Sequence, residues 1–404
     1  MSSSHTASQS LAPITIVGGG LAGLTAAIAC AERGVPVTLH EAHAAVGGRA
    51  RSDEGSYKAN FGPHAIYEDG PLWRWLSERS LLPRYTGVPL APVRLRWQGE
   101  LRRMPPLRVI PSALRLRGRE APADVDFRSW AAEHSDETTA AILSGAAGVY
   151  TFHHDPGELS AAFVWPRTVR ALLSPRPAAR YLIGGWGSLV SALQRRALDL
   201  GVAIGTGSRV ERLPEPPVIV ATELSDARAL LGLDEVSLCW PSGTTVCIDL
   251  ALRRRRGDPF VVCDLDDAGW IERFTAPDPS LAPAGEELIQ AQMPLRPGES
   301  VEAAAARLQA LLEASFADLR ERETWRRRQL MDGRSGALDM PGSTWRDRPQ
   351  VQRGAGVFLV GDMVAAPGLL SEVSWASAVA ASEQAVALAG GAGTDERLRL
   401  RQLA

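Results

Sequence analysis

Lysine is almost missing from this chain. Lys58 is the single lysine among 44 lysines and arginines, so a primary amine is excluded from nearly every catalytic position. Cysteine is also scarce: Cys30, Cys239, Cys247 and Cys263 include no C-x-x-C pair. They are too few for a disulfide framework and lack structural-zinc spacing, which points to a reducing, cytoplasmic setting with no metal. No apolar run is long enough to cross a bilayer. The first dozen residues are small and polar, without a signal pattern, and the fold is expected to begin near Ala12. A net charge of −2 leaves no excess of basic surface and excludes nucleic acid as the expected partner.

What is present starts at Ile14. An apolar run leads into Gly18, Gly20 and Gly23, spaced G-x-G-x-x-G, and an Ala/Leu-rich helical stretch follows. Val35 to His40 is a second apolar run, and it ends in Glu41. Strand, tight turn, helix, strand and acid in this register bind a dinucleotide. Gly18 permits the turn, Gly20 lets backbone approach a pyrophosphate, and Gly23 lets helix and strand pack closely. The helix N-terminus faces the phosphate charge, and the acid meets ribose hydroxyls. No second complete G-x-G-x-x-G is present, so a separate NAD site is not expected.

The length of 404 residues and a hydrophobic fraction of 45% support two or three domain-sized units. Residues 90 to 180 are rich in Pro, Arg and Ala-rich runs and read as a mainly helical insertion. Gly184 to Ala197 opens a helix with Leu189, Leu193 and Ala197 on one face. Short strands are expected at 201–204, around Val210 and at 217–222. Residues 243–295 alternate like an antiparallel sheet, and 300–322 read as one helix. Near the end, Val357 to Val360 is an apolar strand closing on Gly361-Asp362, followed by a loop and a small-residue helix at 373–388.

Three motifs together, the N-terminal glycine turn, Gly47-Gly48-Arg49 and Gly361-Asp362, resemble the FAD-dependent amine oxidase superfamily, which includes phytoene desaturases and protoporphyrinogen oxidases. The segments at 60–67, 180–189 and 360–368 are most similar to bacterial phytoene-desaturase-like flavoproteins. The resemblance implies an α/β fold: a Rossmann-like FAD-binding domain (12–90, 184–240 and 346–390) with an inserted mixed α+β substrate domain (91–183 and 241–345). It implies that Gly18, Gly20, Ala22 and Gly23 hold the pyrophosphate and Glu41 the adenosine ribose. Gly48 and Arg49 would face phosphate or flavin, the Val210 backbone adenine, and Gly361 with Asp362 the ribityl chain. The helix start near Val373 would face the flavin pyrimidine carbonyl. Two departures stand out. The chain between Val210 and Pro217 is too short for the usual β-meander. The substrate domain also lacks the lysine that flavin amine oxidases commonly use.

The resemblance further implies hydride transfer from a small hydrophobic substrate to non-covalent FAD; no cysteine near Asp362 offers covalent attachment. Flavin would carry the redox chemistry and the protein would orient it. His64 is the candidate proton carrier, against packing or turn capping. Trp186 is a candidate wall of the substrate cavity. His153 and His154 read as a solvated turn. The alternative activities are a flavin oxidase of amines or porphyrinogen-like rings, a redox-neutral isomerase needing reduced FAD, and a flavin protein without turnover. The electron acceptor stays open. The basic runs at 253–256, 326–328 and 101–119 read as solvated loops and helix faces or, more sharply, as a peripheral membrane contact.

Overall fold

The computed structural model describes residues 11–62, 65–232 and 236–390. Its first layer is a wholly parallel five-stranded sheet of β1 (Ile14–Val17), β2 (Val37–His40), β3 (Ala203–Gly205), β4 (Val218–Val220) and β5 (Val357–Leu359), in the order β5-β4-β1-β2-β3. β4 and β5 are buried at every residue, as parallel strands covered on both faces must be. Three helices pack on this sheet: α1 (Leu21–Ala31), α2 (Trp186–Asp199) and α3 (Ser371–Ala389). In α1, Ala22 to Cys30 are all buried, because its small side chains admit neighbours on every side. Ser382 of α3 comes near enough to donate to the Ala26 carbonyl of α1 at 3.4 Å. In α2, Leu189, Leu193 and Ala197 are buried together as their spacing predicts.

The second layer is a seven-stranded mixed sheet. The alternating stretch at 243–295 supplies Thr245–Arg253, Val261–Asp264, Trp270–Arg273 and Glu286–Pro294, joined by antiparallel pairs. The helix Val301–Ser315 lays Leu308, Leu311 and Leu312 on it. The segment 90–180 supplies helices whose core is Phe127, Trp130 and Trp165. It also opens with the hairpin Val93–Trp97 and Glu100–Arg102, which completes the sheet.

Two expectations are corrected. The helix read over 300–322 stops at Ser315, and after a short turn Glu323–Met331 forms an edge strand instead of a basic loop. Its arginines are spent on carboxylates: Arg326 on Glu323, Arg327 on Asp249 and Arg328 on Glu302. No strand forms around Val210; the side chain packs instead on the sheet end at Val17, Val218 and Val357. Pro214, Pro216 and Pro217 remove the N–H donors that a ladder there would need.

A buried polar cluster is one of the joints between the two layers. Asp249 is 1% exposed and accepts from Arg327 at 2.6 and 2.8 Å, Gln290 at 2.8 Å and Gln329 at 2.9 Å. Arg327 and Gln290 also donate to the Asn60 carbonyl, at 2.7 and 2.8 Å. Asn60 Oδ1 then accepts the Trp186 N–H at 3.1 Å, fixing the start of α2. Burial raises the Asp249 carboxyl above its ordinary range, and Arg327 opposes that shift. Arg327→Met therefore leaves a buried carboxylate without its cation and should destabilise the fold by about 3 kcal/mol. The double variant Arg327→Met/Asp249→Asn should recover part of that loss. Arg33→Met removes an exposed pair at 3.6 Å and a hydrogen bond to the Ala29 carbonyl at 2.9 Å and should cost no more than about 1 kcal/mol. Urea unfolding of the four proteins checks this order.

Candidate active site

The site is built at the carboxyl ends of the parallel strands, where open α/β sheets bind ligands. β1 runs into Gly18, whose φ is +106°. A Cβ there would lie 2.5 Å from the Ala221 carbonyl oxygen, and one on Gly23 would lie 1.9 Å from the Gly18 oxygen. Both glycines are therefore demanded by close packing. Gly20 differs, since a Cβ on it would meet nothing within 4 Å. It caps α1 without any side-chain hydrogen bond. The open space beside Gly20 thus lies at the N-terminus of α1, the positive end of the helix dipole, which is the chemistry of a phosphate cradle. Gly47 donates to the Gly19 carbonyl at 2.7 Å, which seats the Gly47-Gly48-Arg49 turn beside this opening.

Glu41 is 6% exposed. Its carboxylate accepts from the Gly19 N–H at 2.8 Å and the His43 N–H at 2.8 Å, and the His43 ring Nδ1 lies 2.7 Å away. Burial alone would raise its pKa; the His43 and Gly19 hydrogen bonds outweigh burial and hold it below the usual carboxylate range. An ionised carboxylate has about four acceptor positions, so capacity remains for a ligand hydroxyl.

Asp362 follows β5 and is held by the Arg49 fork at 2.8 and 2.9 Å. Ser377 of α3 pins the preceding residue, its Oγ accepting from the Gly361 N–H at 3.1 Å. Asp362 lies on the wall of two cavities. One is bounded by Arg49, Thr222, Glu223, Leu224 and Gly361. The other is bounded by Tyr150, Phe163, Arg167, Arg348, Leu370 and Val373. Val373 faces this second cavity, while its N–H donates to the Leu370 carbonyl at 3.1 Å.

The structure thus gathers Gly18, Gly20, Gly23, Glu41, Gly48, Arg49, Gly361 and Asp362 at one edge. Ala22 sits 6% exposed in the first turn of α1. Val210 stands apart in its unpaired segment. Trp186 is 3% exposed among Leu182, Leu189 and Val190 in the core of the first layer, and it does not line either cavity. His64 lies outside the described residues. The turn after His153 and His154 brings Glu158 within 4.8 Å of both, a neighbour the sequence spacing did not suggest; the charge of Arg296 is felt at His154 and opposes a cation there. Sequence reasoning missed Thr222 and Glu223, although they end an apolar strand of a parallel sheet and that position was the available signal. It also missed Tyr150, Arg167 and Arg348, which come from segments with no motif.

Residues 16–79 match the family model described as an NAD(P)-binding Rossmann-like domain. No curated protein matches the chain in sequence. Among solved structures, the chain is similar to an oxidoreductase from Methanosarcina mazei, with a TM-score of 0.75 and 17% identity over 92% of this chain and 100% of that one. It is similar to cyclohexylamine oxidase from Brevibacterium oxydans, with a TM-score of 0.69 and 16% identity over 94% and 99% of the two chains. Reduced UDP-galactopyranose mutase gives 0.69 and 14% identity over 93% and 96%. These likenesses show the fold: the Rossmann-like layer with a separate mixed sheet that the sequence led us to expect.

The glycine geometry separates a packing role from a ligand role. Gly23→Ala drives a methyl group into backbone and should destabilise the ligand-free protein by at least about 2 kcal/mol. Gly20→Ala should stay within about 0.5 kcal/mol of wild type. Thermal unfolding of the ligand-free variants checks both; equal losses would show that Gly20 is also held by packing.

Proposed function

We propose that this protein is an FAD-dependent oxidoreductase that removes hydride from a hydrophobic organic substrate and holds FAD without a covalent bond. One observation carries the reading: the phosphate cradle at Gly20, the ionised Glu41 and the Arg49–Asp362 pair line one edge of the sheet, and the two cavities meet at Asp362. A ligand with two nucleotide halves and a ring beyond them matches that sequence of contacts. In this reading Glu41 accepts from ribose hydroxyls, the first turn of α1 receives the pyrophosphate, and Asp362, held in place by the Arg49 fork, accepts from the ribityl chain. FAD supplies the two-electron acceptor when bound. Tyr150, Phe163, Leu370 and Val373 exclude water and position an apolar substrate. His64 remains our candidate for carrying a proton.

The same reading includes a membrane contact as the source of an apolar substrate. No helix among the described residues is long and apolar enough to cross a membrane. Leu90 is 109% exposed, Leu107 83% and Met104 56%, and Arg103, Arg108 and Arg115 are exposed in the same segment. Apolar insertion beside basic charge is what an interfacial contact requires. The protein should sediment with anionic vesicles, and Leu107→Asp/Met104→Asp should release it; equal sedimentation of both would remove this part of the proposal.

For the cofactor, heat or acid should release FAD from the purified protein, and flavin left in the acid pellet would contradict non-covalent binding. Glu41→Ala and Asp362→Ala each remove a charge-assisted hydrogen bond worth about 1.5–3 kcal/mol. FAD affinity should fall by roughly ten- to a hundredfold. Wild-type affinity in both variants, measured by reversible titration of flavin, would overturn the assignment.

A further inference from the structure

We propose that His153, His154 and Glu158 form a binding site for a divalent transition-metal ion of the zinc class. Nothing in the oxidoreductase reading uses these residues, and the proposal stands apart from it. The two histidines follow the helical turn Gly148–Thr151, and Glu158 closes the next short turn, Pro156–Glu158. One ligand atom of each residue lies within 4.8 Å of the others. The centroids of the His153 and His154 rings are only 4.4 Å apart. An extended chain would send consecutive side chains to opposite faces; this bend sets the two imidazoles side by side.

The backbone between the ligands holds them in place. The His153 ring Nδ1 donates to the Asp155 carbonyl at 2.8 Å. The Glu158 N–H donates to the same carbonyl at 3.2 Å. One backbone group therefore seats two of the three ligands. The Asp155 side chain fixes the turn itself, accepting from the Gly157 N–H at 3.0 Å and from Arg128 at 2.6 Å. An imidazole that gives its Nδ1–H to a carbonyl presents its Nε2 lone pair, and this is the outer contact that metal-bound histidines make. The opposite tautomer would accept the Asp155 N–H at 3.2 Å instead; a metal on Nε2 selects the first. Among the described residues the His154 ring makes no hydrogen bond, and the Glu158 carboxylate makes neither a hydrogen bond nor an ion pair.

The local charge admits a cation. Arg128 is paired with Asp155 and Arg296 with Asp267. At His154 the influence of Arg296 is smaller than that of Glu158 or of Asp155. Two neutral imidazoles and one unpaired carboxylate leave the trio with a negative charge. Imidazole nitrogen combined with carboxylate oxygen suits Zn²⁺, Co²⁺, Ni²⁺ or Cu²⁺ and disfavours Mg²⁺ and Ca²⁺, which take oxygen ligands. Bonds of about 2.0–2.2 Å place neighbouring ligand atoms roughly 3.3 Å apart. Glu158 is exposed and His154 half-buried, so side-chain rotation closes the trio around an ion. A bound ion pins the turn that follows Tyr150 and Thr151, two wall residues of the cavity beside Asp362.

The test is isothermal titration of the purified protein, dialysed against chelator and then into metal-free buffer, with Zn²⁺, Ni²⁺ and Mg²⁺. Zn²⁺ and Ni²⁺ should each bind at about one ion per chain, and at least about a hundredfold more tightly than Mg²⁺. Glu158→Gln should weaken Zn²⁺ binding at least about tenfold, and His153→Gln/His154→Gln should abolish it at micromolar Zn²⁺. His134→Gln removes a histidine outside the trio and should bind Zn²⁺ as the wild type does. Circular dichroism confirms that the variants fold; Glu158→Gln changes only an exposed side chain and keeps the test decisive if the histidine variant does not. No stoichiometric binding of Zn²⁺, equal affinity for Zn²⁺ and Mg²⁺, or wild-type Zn²⁺ affinity in either the Glu158→Gln or the folded double histidine variant overturns the proposal.

Discussion

The contact between Asp249 and Arg327 ties the second sheet to the chain that leads from the glycine turn. It lies on the second sheet, yet its outer hydrogen bonds end on the Asn60 carbonyl, in the chain that runs on from the Gly47-Gly48-Arg49 turn. Asn60 passes the constraint to α2 through the Trp186 N–H. This ion pair works with the Gly184 N–H on Asp278 and the Lys58 N–H on the Leu281 carbonyl to hold the two sheets in place. A buried pair of this kind is weak evidence for stability, since desolvation consumes most of its attraction. Its effect is on register: the partners are satisfied only in one relative placement of the two layers.

Electrostatics around the site follow the same economy. Asp362, Arg348 and Glu372 each meet a fork-shaped partner, Arg49, Asp339 and Arg170 respectively. The arginines of the edge strand, which in sequence look like a basic patch, are divided among acids from three elements. With lysine nearly excluded, these contacts are planar and bidentate where geometry allows, and they define orientation as well as charge.

The sequence made the nucleotide edge legible because each part of it is local. A glycine turn, a strand-ending acid and a strand-ending Gly-Asp are short patterns whose chemistry follows from backbone geometry. The parallel layer followed from them. What escaped depends on distance in the chain. That Glu41 also grips Gly19 and His43 requires knowing that the second strand ends under the turn. Val210 misled because an apolar residue between turn signals reads as a strand, whereas the nearby prolines let it pack without pairing. The edge strand Glu323–Met331 was hidden by its run of three arginines; Arg327 and Gln329 find their buried partner, Asp249, on the neighbouring strand.

The order β5-β4-β1-β2-β3 has a consequence for how the chain is made. β4 is complete after residue 220, but the strand that pairs with its outer side ends at residue 359, and α3, which packs on α1, follows later still. While the intervening residues leave the ribosome, β4 presents a wholly apolar strand with one row of backbone groups unpaired. Such an edge invites association with other chains, and pairings this distant in sequence form slowly. A chain stopped just short of β5 would carry almost all the mass of the protein and still lack the piece that closes its sheet, so the nascent protein needs protection until its last fifty or so residues emerge.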